Sequence, residues 1–397
     1  MRISSRRVFN VGLAVLVVLG SGVAAAVPAT ANESRSDIST VIRGLNTPRG
    51  IAFDGHGDLY VSQSGAAGAG SAGLTRTGKV TKYRRGGPVP LWTTTFESLY
   101  LTMDPSAPPD VLGPEGISAT GNNCGRRGDE SREHDATCTV MMIMSESHAG
   151  IAAETHNAIK TKDAGHLYRL DPATGKATSK SNVGDQQYRF TKAHNKLFPP
   201  DFPDSNPYGV LVTRGTEHSP VRTFVADAGA NTISEIMPGG RTRVIAYIPN
   251  ETAAPFRDAT PTCIAQGPDG WLYVATLHFV ANVVVFGSGQ SDVWRVNPDA
   301  NFPTAPRLWA KGLTTPTACT FDRRGNFWAT EMFQPTAGAP GDVVRIPFKH
   351  PNRLTRIGGG QLPLPGGIAQ APNGDMYVSI NSASPKKGSG AIVRIDD

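Results

Sequence analysis

The chain has 397 residues, including 44 glycines and 31 prolines, and 39% of its residues are hydrophobic. So much Gly and Pro together with enough apolar residues for a core excludes a disordered chain and a collagen-like repeat, and it favours many short strands. The formal charge is +6, but three of the arginines lie in the N-terminal segment, and the rest is too weakly basic for a nucleic-acid-binding protein.

The N-terminal segment has the order of a secretory signal peptide. Arg2, Arg6 and Arg7 precede an apolar run over residues 8–26, and the small residues 29–31 follow. We predict that residues 1–31 are cleaved and that the protein is secreted, to the extracellular space, the cell envelope or the periplasm. Residues 5–9 also resemble a twin-arginine export signal. A membrane anchor is the weaker alternative because the apolar run is short, and no later run is long enough for a transmembrane segment.

A short motif, Pro-x-small-aliphatic, recurs six times after this segment. In four copies a Gly-containing turn and then an aromatic or β-branched run follow, which is the pattern of a β-hairpin. The copies begin at Pro48, Pro114, Pro207, Pro261, Pro316 and Pro365.

Each repeat continues with a third strand pattern, and most have a fourth. Units of four strands at a spacing of about 50 residues are typical of propeller blades. The sequence therefore predicts an all-β fold, a single six-bladed β-propeller over residues 32–397. Seven blades are the alternative, because the second unit carries the longest insertions. Long insertions lie around residues 121–165 and 186–206, and a short helix is expected within residues 188–197.

The two ends of the chain indicate how the ring closes. The last unit stops after its third strand, whereas residues 38–45 form a strand pattern that belongs to no unit. We expect this N-terminal strand to pair with the segment near residues 391–396 as the fourth strand of the last blade, because closure leaves no open sheet edge.

Four cysteines in a secreted chain predict disulfide bonds. Cys124 and Cys138 flank one hydrophilic loop of about 15 residues, for which a disulfide is worth about 3 kcal/mol in the chain-entropy model. Cys263 and Cys319 lie at nearly equivalent positions of neighbouring blades, so a bond between them would join two inner strands. The alternative, a metal-binding or nucleophilic thiol, has no Cys-x-x-Cys spacing to support it.

Candidate site residues come from aligning the ends of the second strands, which should meet at one mouth of the central tunnel. This column contains Gln63, Glu146, Asp227, Thr276, Glu331 and Ile380. Glu115, His148 and His278 are expected nearby. We predict a ligand-binding set of Glu115, Glu146, Asp227, His278 and Glu331. Such a set could bind Ca²⁺ or another divalent cation through oxygen ligands, or supply an acid and a base.

Structural roles are the alternative for each of these residues. Asp227 begins a turn whose Asp and Asn can bond the local backbone, and Glu146 and Glu331 are equally consistent with solvated loop acids. His278 can serve packing, and His148 lacks a carboxylate at an established metal spacing. No Gly-x-Ser-x-Gly, P-loop or His-Glu-x-x-His motif is present.

Three segments resemble the ScyD/ScyE family of exported proteins. They are residues 205–209 (Ser-Asn-Pro-Tyr-Gly), residues 225–231 and residues 261–270. The resemblance covers most of the mature chain and implies a six-bladed propeller related to NHL-repeat and streptogramin-lyase-like propellers. It implies no defined activity. Cys263, Cys319 and the loop between Cys124 and Cys138 depart from the family pattern.

The function that we favour from the sequence is an exported, non-catalytic scaffold that binds a ligand or partner at the tunnel mouth. The expected partner is a small molecule, a glycan or a protein, and the expected state is a monomer. The alternative is a metal-dependent lyase or lactonase-like hydrolase with carboxylates at the mouth. A structural component of the cell envelope is a third hypothesis. A propeller fold alone does not decide among them.

Overall fold

The computed structural model describes residues 37–66, 73–101, 110–120, 138–197, 203–213, 220–251, 257–302, 304–333, 339–384 and 386–396. The predicted signal peptide and Cys124 lie outside these ranges, so cleavage and the 124–138 disulfide remain predictions. Within the described ranges, no helix is long and apolar enough to cross a membrane.

The described structure consists mainly of antiparallel sheets, and they confirm the six-bladed β-propeller. Five sheets have four strands and one has five. The first three blades contain β2 (Pro48–Phe53), β3 (Leu59–Gln63), β4 (Gly73–Tyr83), β5 (Pro90–Leu101) and β6 (Asp110–Leu112); β7 (Pro114–Thr120), β8 (Thr139–Met144), β9 (His166–Leu170) and β10 (Ala177–Asn182); β11 (Pro207–Val212), β12 (Thr223–Asp227), β13 (Thr232–Ile236) and β14 (Thr242–Tyr247).

The other three blades have the same order from the inner to the outer strand. The last of them takes its outer strand, β1, from the N-terminal side of the described chain. These blades contain β15 (Pro261–Gln266), β16 (Leu272–Thr276), β17 (Ser291–Val296) and β18 (Arg307–Leu313); β19 (Pro316–Phe321), β20 (Asn326–Glu331), β21 (Gly341–Pro347) and β22 (Thr355–Leu362); β23 (Ile368–Gln370), β24 (Met376–Ile380), β25 (Gly390–Ile395) and β1 (Ile38–Leu45).

The ring closes as the sequence predicts. Strand β1 pairs antiparallel with β25, with Ile38 opposite Ile395 and Leu45 opposite Gly390. The N-terminal strand is therefore the outer strand of blade 6, and this blade too has four strands.

The small residue of the Pro-x-small-aliphatic motif is required where neighbouring inner strands approach each other. A Cβ atom at Gly50 would lie 2.6 Å from the carbonyl oxygen of Glu115, and one at Gly116 would lie 2.5 Å from that of Tyr208. Real Cβ atoms do not come so close to backbone. The motif therefore sets the close packing of the inner strands around the tunnel, which explains why it recurs once per blade.

The hydrophobic core lies between adjacent sheets rather than at one centre. Tyr60 and Val80 of blade 1 pack with Val140 and Met142 of blade 2, all of them fully buried. Equivalent clusters join the other blades. Because each strand alternates its side chains between two sheet faces, and both faces meet a neighbouring blade, most strand positions are buried.

The insertions add two helices to blade 2, α1 (His148–Glu154) and α2 (Val183–Ala193). A helix was expected within residues 188–197, and the observed helix begins five residues earlier and is followed by a 3₁₀ turn at Asn195–Leu197. It starts there because the Asn182 side chain accepts a hydrogen bond from the main-chain N–H of Asp185, which caps its first turn.

The predicted disulfide between Cys263 and Cys319 is confirmed. The two Cα atoms lie 5.5 Å apart, on strands β15 and β19, which are the inner strands of blades 4 and 5. The bond therefore joins neighbouring blades next to the tunnel. Cys138 is buried, and its predicted partner Cys124 is not among the described residues.

Candidate functional site

A recess opens at one mouth of the tunnel, where the inner strands begin. Its walls include the second residue of the Pro-x-small-aliphatic motif from five of the six blades. The space open to the centre of a water molecule is about 20 Å³, and the unfilled volume is about 450 Å³ when open solvent is included. The five residues are Arg49, Glu115, Tyr208, Thr262 and Thr317.

Blade 1 reaches over this recess because its outer strands are unusually long. Strands β4 and β5 extend past the end of β3, and the short strand β6 pairs with the extension, with Leu112 opposite Leu99 and Asp110 opposite Leu101. This fifth strand brings Asp110 and Leu112 to the wall of the recess. Asp110 thereby reaches Arg49 of the inner strand.

The polar half of the recess is a buried charged cluster. The Nη2 atom of Arg49 donates to Asp110 Oδ1 at 3.3 Å, and its Nε atom lies 3.7 Å from Glu115 Oε2. Ser64 donates to the other carboxylate oxygen, Glu115 Oε1, at 3.2 Å. Arg49, Asp110 and Glu115 are each at most 5% exposed. Tyr208 makes a side-chain hydrogen bond with Arg49 and joins the cluster from blade 3.

Two atoms of this cluster make no hydrogen bond to any described residue, namely Arg49 Nε and Glu115 Oε2. A buried polar atom without a partner costs about 1–3 kcal/mol. Burial raises the pKa of Glu115 to about 7, although the Arg49 guanidinium opposes the shift. Burial likewise raises the pKa of Asp110 and raises that of Tyr208 to about 12. Glu115 therefore changes its charge near neutral pH.

The opposite half of the recess is apolar. Leu277 and Phe279 follow strand β16, and Met332 follows strand β20. The Thr262 hydroxyl, although it belongs to a lining residue, donates to the carbonyl oxygen of Pro316 at 2.6 Å and so holds blade 4 to blade 5. The recess thus presents hydrogen-bonding groups from blades 1–3 and an apolar surface from blades 4 and 5.

Of the five residues predicted to bind a ligand, the structure places Glu115 in the recess. Asp227 is fully buried in a turn instead, where its carboxylate accepts hydrogen bonds from the main-chain N–H groups of Asn206 and Ala230 and from the Ser205 hydroxyl. Burial raises the pKa of Asp227 to about 6, and these donors oppose the shift. This geometry matches the alternative, a structural Asx-type turn.

Glu331 is fully buried in an ion pair. Its Oε2 atom accepts from Arg356 Nε at 2.8 Å, and Oε1 accepts from the main-chain N–H of Thr314 at 2.6 Å. Arg356 also donates to the carbonyl oxygen of Gly312. Glu331 therefore fixes the end of β20 to the outer strand of its own blade and to the chain that enters it.

The other two predicted ligands, Glu146 and His278, have left-handed backbone conformations with φ of 60° and 41°. The main-chain N–H of Glu146 donates to Asn206 Oδ1. Nδ1 of His278 donates to the carbonyl oxygen of Gln290 at 2.7 Å, and burial lowers the pKa of this imidazole. Neither residue lines the recess, although Leu277 and Phe279, on either side of His278, do. His148 pairs with Asp185 at 3.3 Å.

The described residues contain no group of three or more His, Cys, Asp or Glu side chains arranged to hold a metal ion. The sequence does contain the signal for the observed lining. The second position of the six motif copies is the only one that varies in character, from Arg49 and Glu115 to Tyr208 and Thr262. A variable position inside an otherwise regular repeat marks the surface where the blades differ. No comparable feature of the sequence indicates that Asp110 lines the recess.

No protein-family model matches this sequence, and no curated protein matches it. Similar solved structures include a PQQ-bound aldose sugar dehydrogenase from Streptomyces coelicolor, with 14% identity over 92% of this chain and 99% of the other and a TM-score of 0.47. A gluconolactonase from Xanthomonas campestris is 14% identical over 95% and 98%, with a TM-score of 0.47. Virginiamycin B lyase from Staphylococcus aureus is 13% identical over 91% and 100%, with a TM-score of 0.43. All three are β-propellers. At these values the likeness says nothing about activity, and the ScyD/ScyE resemblance remains a prediction.

Proposed function

We propose that this propeller is an exported binding protein that holds a small, uncharged molecule in the mouth recess without transforming it. The observation that carries the proposal is the pair formed by Arg49 Nε and Glu115 Oε2. The two atoms lie 3.7 Å apart, both are buried, and neither has a hydrogen-bond partner among the described residues.

This pair is a donor beside an acceptor, which matches a hydroxyl or an amide. A hydroxyl group accepts from a guanidinium N–H and donates to a carboxylate at the same time, and an amide offers a carbonyl oxygen next to an N–H. A ligand with such a group would satisfy both atoms and remove the cost of leaving them unpaired.

The charges of the cluster favour a neutral ligand. The charge of Arg49 is already balanced by Asp110 at 3.3 Å, and Glu115, whose pKa is raised to about 7 by burial, is largely protonated in mildly acidic solution. In that state the cluster carries no net charge, and the protonated Glu115 still has an acceptor oxygen for a ligand hydroxyl. An anion or a cation would therefore enter without a counter-charge, in a site where charges are poorly screened.

The apolar half of the recess adds a second requirement. Leu277, Phe279 and Met332 offer no hydrogen-bonding side chain, so the part of the ligand that faces them should be apolar. Recesses that combine an apolar wall with a few convergent polar groups are typical of small-molecule sites. The proposed ligand therefore has a hydroxyl or amide edge on an apolar body.

The proposal is tested with a panel of monosaccharides, alkyl glycosides and N-alkyl amides, first by thermal shift and then by calorimetry of the binders. Tyr208→Phe should weaken binding about fivefold and Glu115→Leu more than tenfold, as expected for the loss of one hydrogen bond or more. Tyr377→Phe is the matched control, because Tyr377 lies in blade 6 and does not line the recess. If Tyr208→Phe and Glu115→Leu bind like the wild type, the mouth is not the site, and tighter binding of charged analogues would rule out a neutral ligand.

A second candidate function is acid–base catalysis, and the pKa of Glu115 is the observation that favours it. A carboxyl group with a pKa of about 7 in an open recess can both give and take a proton near neutral pH. The panel separates the two functions, since product formation from any binder that stops in Glu115→Leu would mean an enzyme. An unchanged ligand recovered after prolonged incubation supports the binding protein.

A further inference from the structure

A second recess lies at the other end of blade 4. It lies beneath residues 297–302 and 304–306, between β17 and β18. The space open to the centre of a water molecule is about 210 Å³, and the unfilled volume is about 550 Å³ when open solvent is included. Trp271 comes directly before strand β16 and Leu277 directly after it. An extended chain rises about 3.3 Å per residue. The second recess is therefore about 20 Å from the mouth recess, of which Leu277 is part.

Two arginines and one tryptophan dominate its wall. The Arg295 guanidinium lies 4.0 Å from the ring centroid of Trp271, and that of Arg307 lies 5.9 Å from it. The remaining lining residues are apolar or neutral, and none of them is acidic. The recess therefore concentrates positive charge next to an aromatic surface.

The guanidinium groups of Arg295 and Arg307 keep hydrogen-bond donors that no described residue accepts from. Arg295 pairs with Asp269 at 2.5 Å, but its Nε atom is buried and makes no hydrogen bond to a described residue. Arg307 is exposed and forms no ion pair with any residue in the described ranges. One acid thus faces two arginines, which leaves an excess of one positive charge.

The covering loop is fixed in place by the neighbouring blade. Arg222 donates to the carbonyl oxygen of Pro298 and pairs with Asp299, each at 2.8 Å. Arg243 donates to the carbonyl oxygen of Ala300 at 3.1 Å and to the Asn301 side chain at 2.7 Å. The only acid of this loop, Asp299, is therefore engaged by blade 3 and does not neutralise Arg295 or Arg307.

From this arrangement we propose that the second recess binds a small organic oxyanion, a carboxylate or a phosphate monoester, carried on a compact apolar body. The oxyanion accepts hydrogen bonds from Arg307 and from the Nε–H of Arg295, since guanidinium N–H groups form charge-assisted hydrogen bonds with carboxylates and with phosphates. The apolar body lies against Trp271, Val296 and Pro306. The site is independent of the mouth recess.

Calorimetric titration of the full-length protein at low salt tests the proposal. The probes are benzoate, phenyl phosphate and the uncharged analogue benzyl alcohol, and comparison of the first two distinguishes carboxylate from phosphate. The variants are Arg307→Gln and Trp271→Leu. The control is Arg353→Gln, which removes one positive charge from an exposed position of blade 5. Tyr208→Phe, in the mouth recess, serves as a second control.

We expect saturable binding of at least one of the two anions, weakened about tenfold or more by Arg307→Gln, as for loss of a charged hydrogen bond, and weakened also by Trp271→Leu. Arg353→Gln and Tyr208→Phe should bind like the wild type. The proposal is overturned if neither anion binds, if benzyl alcohol binds as tightly as the anions and loses this binding in Arg307→Gln or Trp271→Leu, or if Arg353→Gln weakens anion binding as much as Arg307→Gln. Benzyl alcohol that binds equally to the wild type and to these two variants is bound elsewhere, since its hydroxyl also suits the mouth recess. Because the mouth variant is measured beside the others, failure here and failure of the mouth site are separable.

Discussion

Ile42, near the start of the described chain, lies opposite Ile392, near its end, in the pairing of β1 with β25. Both side chains are buried and pack in one cluster with Ile51 and Val61 of blade 1. The pairing thus joins the two ends of the chain and also packs the last blade against the first. Detaching β1 would therefore break both its pairing with β25 and the packing of blade 6 against blade 1.

We expect Ile42→Asp to lower the free energy of unfolding by about 3 kcal/mol or more, because it places an unpaired charge in this cluster. Thr40→Asp is the matched control, since Thr40 is exposed on the same strand and the change should cost less than about 0.5 kcal/mol. Urea unfolding followed by circular dichroism measures both. Equal losses of unfolding free energy in the two variants would show that the buried face of β1 contributes no more to stability than its exposed face.

The disulfide between Cys263 and Cys319 should contribute to stability mainly by restricting the unfolded chain. The two residues are 56 positions apart, and loops of this size are worth about 2–4 kcal/mol when closed. The Cys263→Ser/Cys319→Ser variant should therefore have a free energy of unfolding that is lower by about 2–4 kcal/mol, and it should unfold at a lower urea concentration.

A reducing agent controls for the second predicted disulfide. It should destabilise the wild type more than the double variant, and any shift that remains in the double variant reports on Cys124 and Cys138. A double variant as stable as the wild type would mean that the blade-to-blade bond is energetically neutral.

Glu331→Leu separates a structural role from a ligand-binding role for this residue. The change leaves the main-chain N–H of Thr314 and the Arg356 guanidinium without their acceptor. Because the Arg356 side chain is 35% exposed and can turn to water, we expect a loss of about 2–3 kcal/mol rather than the larger cost of a wholly buried charge. Chemical denaturation measures it.

Affinity for a mouth-recess ligand should stay unchanged in Glu331→Leu, provided that binding is measured where the variant is folded. The sequence places Glu331 among the predicted ligands, so an affinity that falls together with Glu115→Leu would restore that prediction. In Glu331→Leu/Arg356→Leu, part of the lost stability should return, because no guanidinium is left without its carboxylate, whereas the Thr314 N–H still lacks its acceptor.

The fold could be predicted from the sequence because each blade repeats the same local rules. Gly50 and Gly116 are small for the same reason, the approach of the next inner strand, and this reason leaves a periodic trace in the sequence. The 263–319 disulfide could be predicted because the repeat places both cysteines on neighbouring inner strands. The closing strand could be predicted because the last repeat lacks a fourth strand.

The site could be predicted only in part, since its composition depends on contacts that are not periodic. Glu115 could be found because it stands next to a repeat glycine. Asp110 could not be found, because it reaches Arg49 through a fifth strand that, among the described residues, only blade 1 has. Glu331 and Asp227 lie at the ends of their strands, as the alignment predicts. Glu331 pairs with Arg356, however, and Asp227 accepts hydrogen bonds from the Ser205 hydroxyl and the main-chain N–H of Asn206. Equivalent positions of the repeat therefore occupy the same place in each blade, but their side chains have different roles.

The last prediction concerns the pH dependence that Glu115 confers. Burial raises the pKa of Glu115 from 4.5 to about 7, in a cluster with Arg49, Asp110 and Tyr208. Between pH 4.5 and 7 the folded protein therefore holds a proton that the unfolded chain has lost, so this group lowers stability as pH rises through that window and has no further effect above it. At 1.36 kcal/mol per pKa unit, the full effect is about 3 kcal/mol.

Glu115→Gln removes this titration and keeps the shape of the side chain. The stability of the variant relative to the wild type should therefore increase steadily from pH 5 to 7 and then level off, as measured by urea unfolding at half-unit intervals. Asp227 and Asp258, whose pKa values burial raises to about 6, titrate in both proteins and cancel in the difference between the two curves. The difference therefore reports on Glu115, together with any change that its loss makes to the neighbouring Asp110. A difference that is constant over this range would mean that Glu115 is ionised throughout, and the neutral-ligand argument for the mouth recess would lose its basis.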